Sequence, residues 1–598
     1  MFGGRVYLWT CALVASSSFV IDAQSTYDAI VVGSGPGGLV AAEYLSRDPS
    51  VSVLVIKAGP KSLAATGGTV GPDYVKGQGL ATFDIPGEYE SIAWNSQYSQ
   101  FRVDWISGSN WLGKLVGGCS SVNAALYFRP PNDYVTNTQW PFSAASMTTK
   151  MDENEKTHGA TDKPSTDGVW YTQEGYNVVA KAFLGQGYSE KTPNEAAARN
   201  SKSKTFGHAP FTFKNGRRDS PANAFWGKMK TRTNVKLLTD TKVDYVLHSA
   251  GKATGVMYGG TKAQLSSRGT IIMAAGALST PKVLIQSGIG PADQLNMLKG
   301  NANFPGLSQG DLIVNPYVGR NLFDTNMVIA SFSHPDMKSF RYILIGYENF
   351  EVQGRQYEFQ TTVLTHGFGE FAKIDNALST SLYVNNPESR AASGFDGNGA
   401  WQPFKEGSVY FATNRDLVAM QQYAQHVVSA MKAQGATFLS GASDPDGGCY
   451  ASSDSSAGSK RCADNKLRVL GTSNIFVADA SAMRDGTVNP YGFIMYTGRE
   501  AAGQAASYIS TGGAGSAWAI QKPAQDATCG KIEENVDYAG NDVGSSRSST
   551  AEGCCAICQT TGGCKAYTWT NYNGGTCWLK SAKGAASTNS GARSAQLN

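Results

Sequence analysis

The sequence has 598 residues, more than one hydrophobic core usually holds, so at least two domains are expected. With 41% hydrophobic and 16% charged residues, the composition excludes a disordered chain. A net charge of +4 with no Lys/Arg run gives no reason to expect a nucleic-acid partner. At the N-terminus, Arg5 closes a short basic region. Val6 to Val20 is mostly apolar, with Leu8, Trp9, Leu13, Val14 and Phe19, and Ala23 is a small residue suited to cleavage. Residues 1–23 therefore read as a signal peptide. The alternative is a membrane anchor, which the short run and its polar Ser16 to Ser18 disfavour. No other stretch is long and apolar enough to span a bilayer, and a secreted, extracellular protein is expected.

The next segment has the form of a βαβ unit. Ala29-Ile30-Val31-Val32 reads as a strand, Pro36 to Ser46 as a helix, and Val51 to Ile56 as a second strand. Between the first strand and the helix lies Gly33-Ser34-Gly35-Pro36-Gly37-Gly38, in which Gly33, Gly35 and Gly38 have the spacing G-x-G-x-x-G. The first glycine makes a tight turn, the second lets a pyrophosphate approach the backbone, and the third lets helix and strand pack closely. Strand before and helix after are the context that turns this common triplet into a dinucleotide site. One element departs from the pattern. An acidic residue should follow the second strand and bind ribose hydroxyls, but the residue there is Lys57, which cannot accept a hydrogen bond. Either another group takes over the ribose, which is the preferred reading, or cofactor binding is weakened, or the lysine faces a phosphate of an altered nucleotide.

Residues 60–120 are loop-like and rich in Gly and Thr. Further buried strands are expected at Thr270 to Ala275 and Asn474 to Asp479, with a helix from about Pro281 and a last one from Arg499 to Ile509. Thr511 to Thr528 is small and polar and reads as a linker before a module at 529–598. Cys11 would leave with the signal, and Cys119, Cys449 and Cys462 are spread over the large part. Cys529, Cys554, Cys555, Cys558, Cys564 and Cys577 crowd the module, which implies a disulfide framework in an oxidising compartment and leaves the pairing open. Cys555-x-x-Cys558 lacks the partner pair or His that a tetrahedral zinc site needs.

Two long segments carry a family resemblance. Gly113-Lys114-Leu115-Val116-Gly117-Gly118-Cys119-Ser120-Ser121-Val122-Asn123 and the run from Gly276-Ala277-Leu278-Ser279-Thr280-Pro281 to Gly288-Ile289-Gly290 resemble the two signatures of the glucose–methanol–choline (GMC) oxidoreductases, in the family's order. Thr66-Gly67-Gly68-Thr69, Phe83-Asp84-Ile85-Pro86-Gly87 and Pro164-Ser165-Thr166-Asp167-Gly168 look most like the flavodehydrogenase domain of cellobiose dehydrogenase. The resemblance covers about residues 26–510, so the oxidoreductase part is bounded at 24–510. It implies an α/β fold, with a Rossmann-like FAD-binding domain interleaved with an α+β substrate domain. It also implies oxidation of a sugar or alcohol CH–OH group by hydride transfer to FAD. Carried over by position, Gly33, Gly35 and Gly38 would hold the pyrophosphate. Gly117, Gly118 and Asn123 would lie along the flavin, Val243 would contact the adenine through its backbone, and Asp479 would sit near the phosphate–ribityl part. Cys119 stands where relatives have a small Gly or Ser; a small buried cysteine is expected there rather than a reactive or flavin-linked thiol.

The same resemblance implies a catalytic histidine paired with a second His or Asn. The second residue is present as Asn489, but the first position reads Cys449. A disulfide with Cys462 is preferred for that cysteine over a role as thiolate base. Of His158, His208, His248, His334, His366 and His426, His366 is the one candidate substitute, and each is expected to be structural.

The segment Cys529 to Cys577 resembles a PAN/Apple module, through Cys554-Cys555-Ala556-Ile557-Cys558-Gln559, Gly563-Cys564-Lys565-Ala566-Tyr567-Thr568-Trp569 and Cys577-Trp578-Leu579-Lys580. Such modules bind proteins or carbohydrates. Tyr567, Trp569, Tyr572 and Trp578 would either stack on the sugar rings of a polysaccharide or wall ligand, or fill a tiny core. The leading expectation is a secreted FAD-dependent dehydrogenase or oxidase that passes electrons to oxygen, a quinone or a separate acceptor. The competing one is a carbohydrate-binding or adhesive protein whose flavin domain has lost turnover.

Overall fold

The computed structural model describes residues 26–106, 110–308, 312–337, 344–364, 366–367, 371, 373–440, 462–484, 490–513, 529–548, 550–561 and 563–597. The expected βαβ unit is present: β1 is Thr26–Val32, α1 is Pro36–Leu45 and β2 is Val53–Ile56. Residues Ala29 to Val32 and all of β2 are buried. Such unbroken apolar runs suit strands covered on both faces, where no alternation is needed. Val32 lies in register with Ile56 on one side and with Met273 of the strand Thr261–Met273 on the other. Strand Val235–Leu238 extends the parallel sheet beyond β2, and Ile475–Val477 pairs parallel with Thr261–Met273. The early half of Thr261–Met273 instead pairs antiparallel with Lys252–Tyr258, which pairs with Tyr245–Ser249. All four strands expected from sequence thus share one seven-stranded sheet.

Helix α1 starts with Pro36 just inside its first turn, where a missing N–H costs nothing. Its Gly37, Gly38, Ala41 and Ala42 are buried and small, so that neighbouring backbone comes close. The buried Glu43 is held by Arg47 and Arg232, each at 2.8 Å. Burial opposes its charge, but these hydrogen bonds win and hold the carboxyl below its ordinary range. The last large helix runs Tyr491–Ser510, beginning eight residues before the Arg499 expected from sequence. Gly492 and Gly498 mask its periodicity, and they are there for contact. A Cβ on Gly498 would stand 2.1 Å from the Gly37 carbonyl oxygen.

A second seven-stranded sheet runs in the order Thr437–Ser440, Asn326–Ser333, Ala377–Val384, Arg355–Leu364, Leu344–Val352, Thr205–His208 and Ser189–Glu190. It has its own core, to which helices Glu174–Gly185 and Asn414–Ala433 contribute Val179, Phe183, Tyr423 and Val427. Buried hydroxyls are satisfied across this interface: Tyr423 is 2.6 Å from Thr361, and Tyr357 donates to Asp416 at 2.8 Å. Because this sheet draws strands from both sides of residues 235–273, the two layers are interleaved in sequence.

The terminal module has a five-stranded antiparallel sheet, ordered Glu533–Ala539, Ala585–Gln596, Ala566–Thr570, Thr576–Lys580 and Asp542–Arg547, with helix Ala551–Thr560 against it. The bridges are Cys529–Cys555, Cys554–Cys577 and Cys558–Cys564. The last two bridges tie the helix to the sheet around Tyr567, Leu579 and Ala595. Removing the buried central bridge with Cys554→Ala/Cys577→Ala is expected to destabilise the module by about 2–5 kcal/mol. Calorimetry of the full chain would read this as a lowered module transition, with the transition of the large unit unmoved.

Candidate dinucleotide site

The glycine turn is fixed by contacts that exclude any Cβ. Gly33 has φ +109°, and a Cβ there would lie 2.1 Å from the carbonyl oxygen of Ala274. A Cβ on Gly37 would lie 1.7 Å from the Ala478 oxygen, and one on Gly38 2.2 Å from the Gly33 oxygen. Gly35 differs: the nearest atom to its Cβ position is Ala274 O at 3.9 Å. Its outer side is open, and it caps α1 with no side chain over the first N–H groups. Turn and helix end therefore present bare donors at the carboxyl edge of the parallel strands, where open α/β sheets bind ligands.

Other segments converge on that edge. Gly117 donates its N–H to Ser34 O at 2.8 Å, and a Cβ on Gly118 would lie 3.1 Å from Gly35 Cα. Asp479 follows the strand Ile475–Val477. It accepts from Gly276 N at 2.8 Å, Thr280 Oγ1 at 2.5 Å and Ser481 N at 2.9 Å. Burial raises its carboxyl above the ordinary range, and the Ser481 and Thr280 bonds only partly oppose this. Val243 is buried in the segment after Val235–Leu238, which is tied to the end of β2 by Thr241 N donating to Lys57 O at 2.9 Å. Asn123 Oδ1 accepts from Ala125 N at 3.0 Å and from Arg218 Nη1 at 3.1 Å. Gly33, Gly35, Gly38, Gly117, Gly118, Asp479 and Val243 thus surround one edge of one sheet. Asn489 and Cys449 lie outside the described residues; Cys462 is disulfide-bonded.

Two features differ from the sequence reading. Cys119 is exposed rather than buried, because the short helical turn Gly118–Ser121 turns its thiol away from the core that takes Ser120 and Ser121. Arg218 went unnoticed. It is 1% exposed and donates to Phe83 O, Ser120 O and Asn123, so one guanidinium ties the Phe83 segment to the turn after Gly118. Burial pushes it down to about 10. The sequence signal was Arg217-Arg218 on a two-residue strand, where period-two alternation exposes the first and buries the second.

The histidines are engaged by the protein. His248 bonds Ser287 O, His334 bonds Gln434 O, and His208 is stacked between Trp170 and Tyr176. His158 packs edge-on to Tyr127, and His426 lies along Tyr188. His366 Nε2 is 2.9 Å from Glu90 Oε1. Burial lowers His158, His208 and His426 below their ordinary range. These three therefore add stability above the unfolded-state value of about 6.5 that is lost as pH falls.

Residues 31–92 match the model of an NAD(P)-binding Rossmann-like domain, residues 89–327 that of the GMC oxidoreductases, and residues 536–580 that of the PAN domain. Residues 89–327 are thus similar to the GMC oxidoreductases, and residues 536–580 to a PAN domain. The chain is 28% identical over 313 residues to an alcohol dehydrogenase [acceptor] of Pseudomonas putida, a match covering 50% of this chain and 53% of that protein. It is 31% identical over 297 residues to an oxygen-dependent choline dehydrogenase of Brucella anthropi, covering 47% and 52%. The chain spans about half the length of these curated relatives. Among solved structures, Aspergillus oryzae formate oxidase superposes with a TM-score of 0.62 at 15% identity, over 82% of this chain and 99% of that one. Pyridoxine 4-oxidase from Mesorbium loti does so with 0.58 at 18% identity, over 80% and 99%. These likenesses carry the fold: a Rossmann-like FAD domain with a substrate domain, plus the PAN module. The cofactor they indicate is FAD.

The cradle fits that cofactor, because the one glycine of the triplet with open space beside it is the one a pyrophosphate must approach. Gly35→Ala is expected to leave the thermal midpoint nearly unchanged while weakening FAD binding about tenfold or more, since its methyl fills that space. Gly38→Ala is expected to lower the midpoint itself. Flavin content and thermal melting of the two variants separate these outcomes.

Proposed function

We propose that this chain is a secreted FAD-dependent oxidoreductase acting on the CH–OH group of an alcohol or a sugar. The observation that carries the reading is the convergence at one sheet edge of the Gly33–Gly38 turn with both GMC-like segments, through the Gly117–Ser34 bond and the Gly276–Asp479 bond. The activities of the relatives, an alcohol dehydrogenase and a choline dehydrogenase, support the donor class. Likeness of Thr66–Thr69 and Phe83–Gly87 to cellobiose dehydrogenase extends it to sugars. The module's three disulfides suit an oxidising, extracellular setting, and the apolar N-terminus a signal peptide.

Bound FAD supplies the acceptor for the hydride. The backbone donors around Gly35 and the α1 N-terminus would hold the pyrophosphate, while Gly33 shapes the turn and Gly38 keeps helix and strand together. Gly117, Gly118 and Asn123 would line the flavin, with Asn123 steered by Arg218. Val243 would contact the adenine, and Asp479, which pins the Gly276 turn, would sit near the phosphate–ribityl part. By the family resemblance, Asn489 would pair with the base that takes the donor hydroxyl proton.

The test is the absorbance spectrum of the purified protein before and after anaerobic addition of choline, simple alcohols, glucose and cellobiose. Bleaching of an oxidised-flavin spectrum by one of them is expected and names the substrate class. If none bleaches it and Cys449→His brings bleaching back, the site has lost its base. If that variant is also inert, the oxidoreductase reading fails.

A second reading concerns the module. Tyr567 is buried in its core and the indole of Trp569 donates to Ser548 O, so these two are structural. Tyr572 is 61% exposed, with its ring 6.0 Å from that of Trp578. Exposed Tyr572 beside the half-buried Trp578, whose indole donates to Thr570 Oγ1 at 3.0 Å, leaves one open ring face for stacking on a sugar, and favours a module that tethers the chain to a polysaccharide. The wild-type chain is expected to sediment with cellulose or wall polysaccharide, and Tyr572→Ala/Trp578→Ala to stay in solution. Sedimentation without turnover on any donor would support an adhesive protein instead.

A further inference from the structure

The end of β2 carries a cation where dinucleotide folds place an acid. Ile56 O accepts the N–H of Gly33 at 2.8 Å, so the residue before Lys57 is bonded directly to the glycine turn. The Lys57 backbone is pinned from both sides, its N–H donating to Leu238 O at 2.8 Å and its carbonyl accepting from Thr241. Its side chain therefore leaves from a fixed point at the rim of the crevice. The charges that act on it are Lys114 and the Cys119 thiol, both from the segment that packs on Gly35. Among the described residues no carboxylate pairs with it. Burial pushes the ammonium down to about 8, opposed by the Cys119 thiol and assisted by Lys114. A largely desolvated cation with no carboxylate partner among the described residues is costly unless a ligand supplies an anion.

In this fold the residue after the second strand meets the ribose edge of the adenosine. A carboxylate there accepts from the 2′-hydroxyl, and a cation accommodates a 2′-phosphate. We propose that Lys57 gives this crevice a preference for adenosine phosphorylated on its ribose edge over adenosine with free ribose hydroxyls. FAD, whose ribose is unphosphorylated, is then held by the glycine cradle without help from the β2 end. The inference rests on the dinucleotide reading of the crevice, but not on turnover.

The experiment uses the full-length purified protein and follows release of FAD fluorescence as adenosine 2′,5′-bisphosphate or AMP is added. The bisphosphate is expected to displace FAD at about tenfold lower concentration than AMP, the worth of one charge-assisted contact. Lys57→Gln is expected to abolish the difference, and Lys57→Glu to reverse it while raising FAD affinity. Circular dichroism and melting confirm that both variants fold, and Lys57→Gln suffices if Lys57→Glu does not. Equal potency in the wild type, displacement by neither nucleotide, or a preference that survives Lys57→Gln overturns the proposal and leaves the FAD reading standing. If the protein purifies without flavin and takes up none, the FAD reading fails. Calorimetric titration with the same two nucleotides then decides the proposal on the same ratio.

Discussion

Everything at the dinucleotide edge depends on backbone packed against backbone with no side chain between. Gly33 against Ala274, Gly37 against Ala478 and Gly498, and Gly38 against Gly33 leave no room for one methyl group. Three parallel strands, α1 and the helix Tyr491–Ser510 meet there at a separation that only hydrogen side chains allow. The consequence is rigidity where it is needed. The turn cannot relax, so its N–H groups keep their aim without a ligand to hold them. Gly35 is the exception that gives the arrangement a purpose, because it is the one position where space is left on the outer side.

Around this frame the charges are arranged economically. Glu43, buried in α1, is matched by two arginines, and Asp28 at the start of β1 is matched by Arg268 at 2.8 Å. These pairs staple the sheet to its helices. At the crevice the pattern changes: Arg218 is buried on carbonyl oxygens and an amide, and Lys57 sits beside another lysine and a thiol. Acids hold the scaffold, while Arg218 and Lys57, which among the described residues have no carboxylate salt bridge, lie where an anionic nucleotide would bind. Asp479 fits the same scheme, since its lone pairs are spent on Gly276, Thr280 and Ser481 and it acts as a strut.

The module solves a different problem. Its residues are too few for a core of the kind that the large unit has, and three bridges stand in for buried apolar area. Because the bridges and Tyr567 carry the interior, Tyr572 is released to the surface.

Local sequence determined the βαβ unit, the glycine turn, the later buried strands and the disulfide-rich module. Each depends on residues close in sequence: an apolar run, a glycine spacing, a cluster of cysteines. Tertiary structure decided what depends on partners far along the chain. It set the early start of the last helix, whose Gly498 makes sense only against Gly37 and whose Gly492 only against Phe128. It also set the exposure of Cys119, which a turn and not a composition controls, and the cysteine pairing, which proximity in the folded sheet selects. Arg218 belongs here too, because its partners Phe83, Ser120 and Asn123 lie some 95 to 135 residues earlier. Lys57 stands between the two. Its identity was legible at once as a departure from the pattern, but its neighbours, Lys114 and the Cys119 thiol, could be read only from the folded chain.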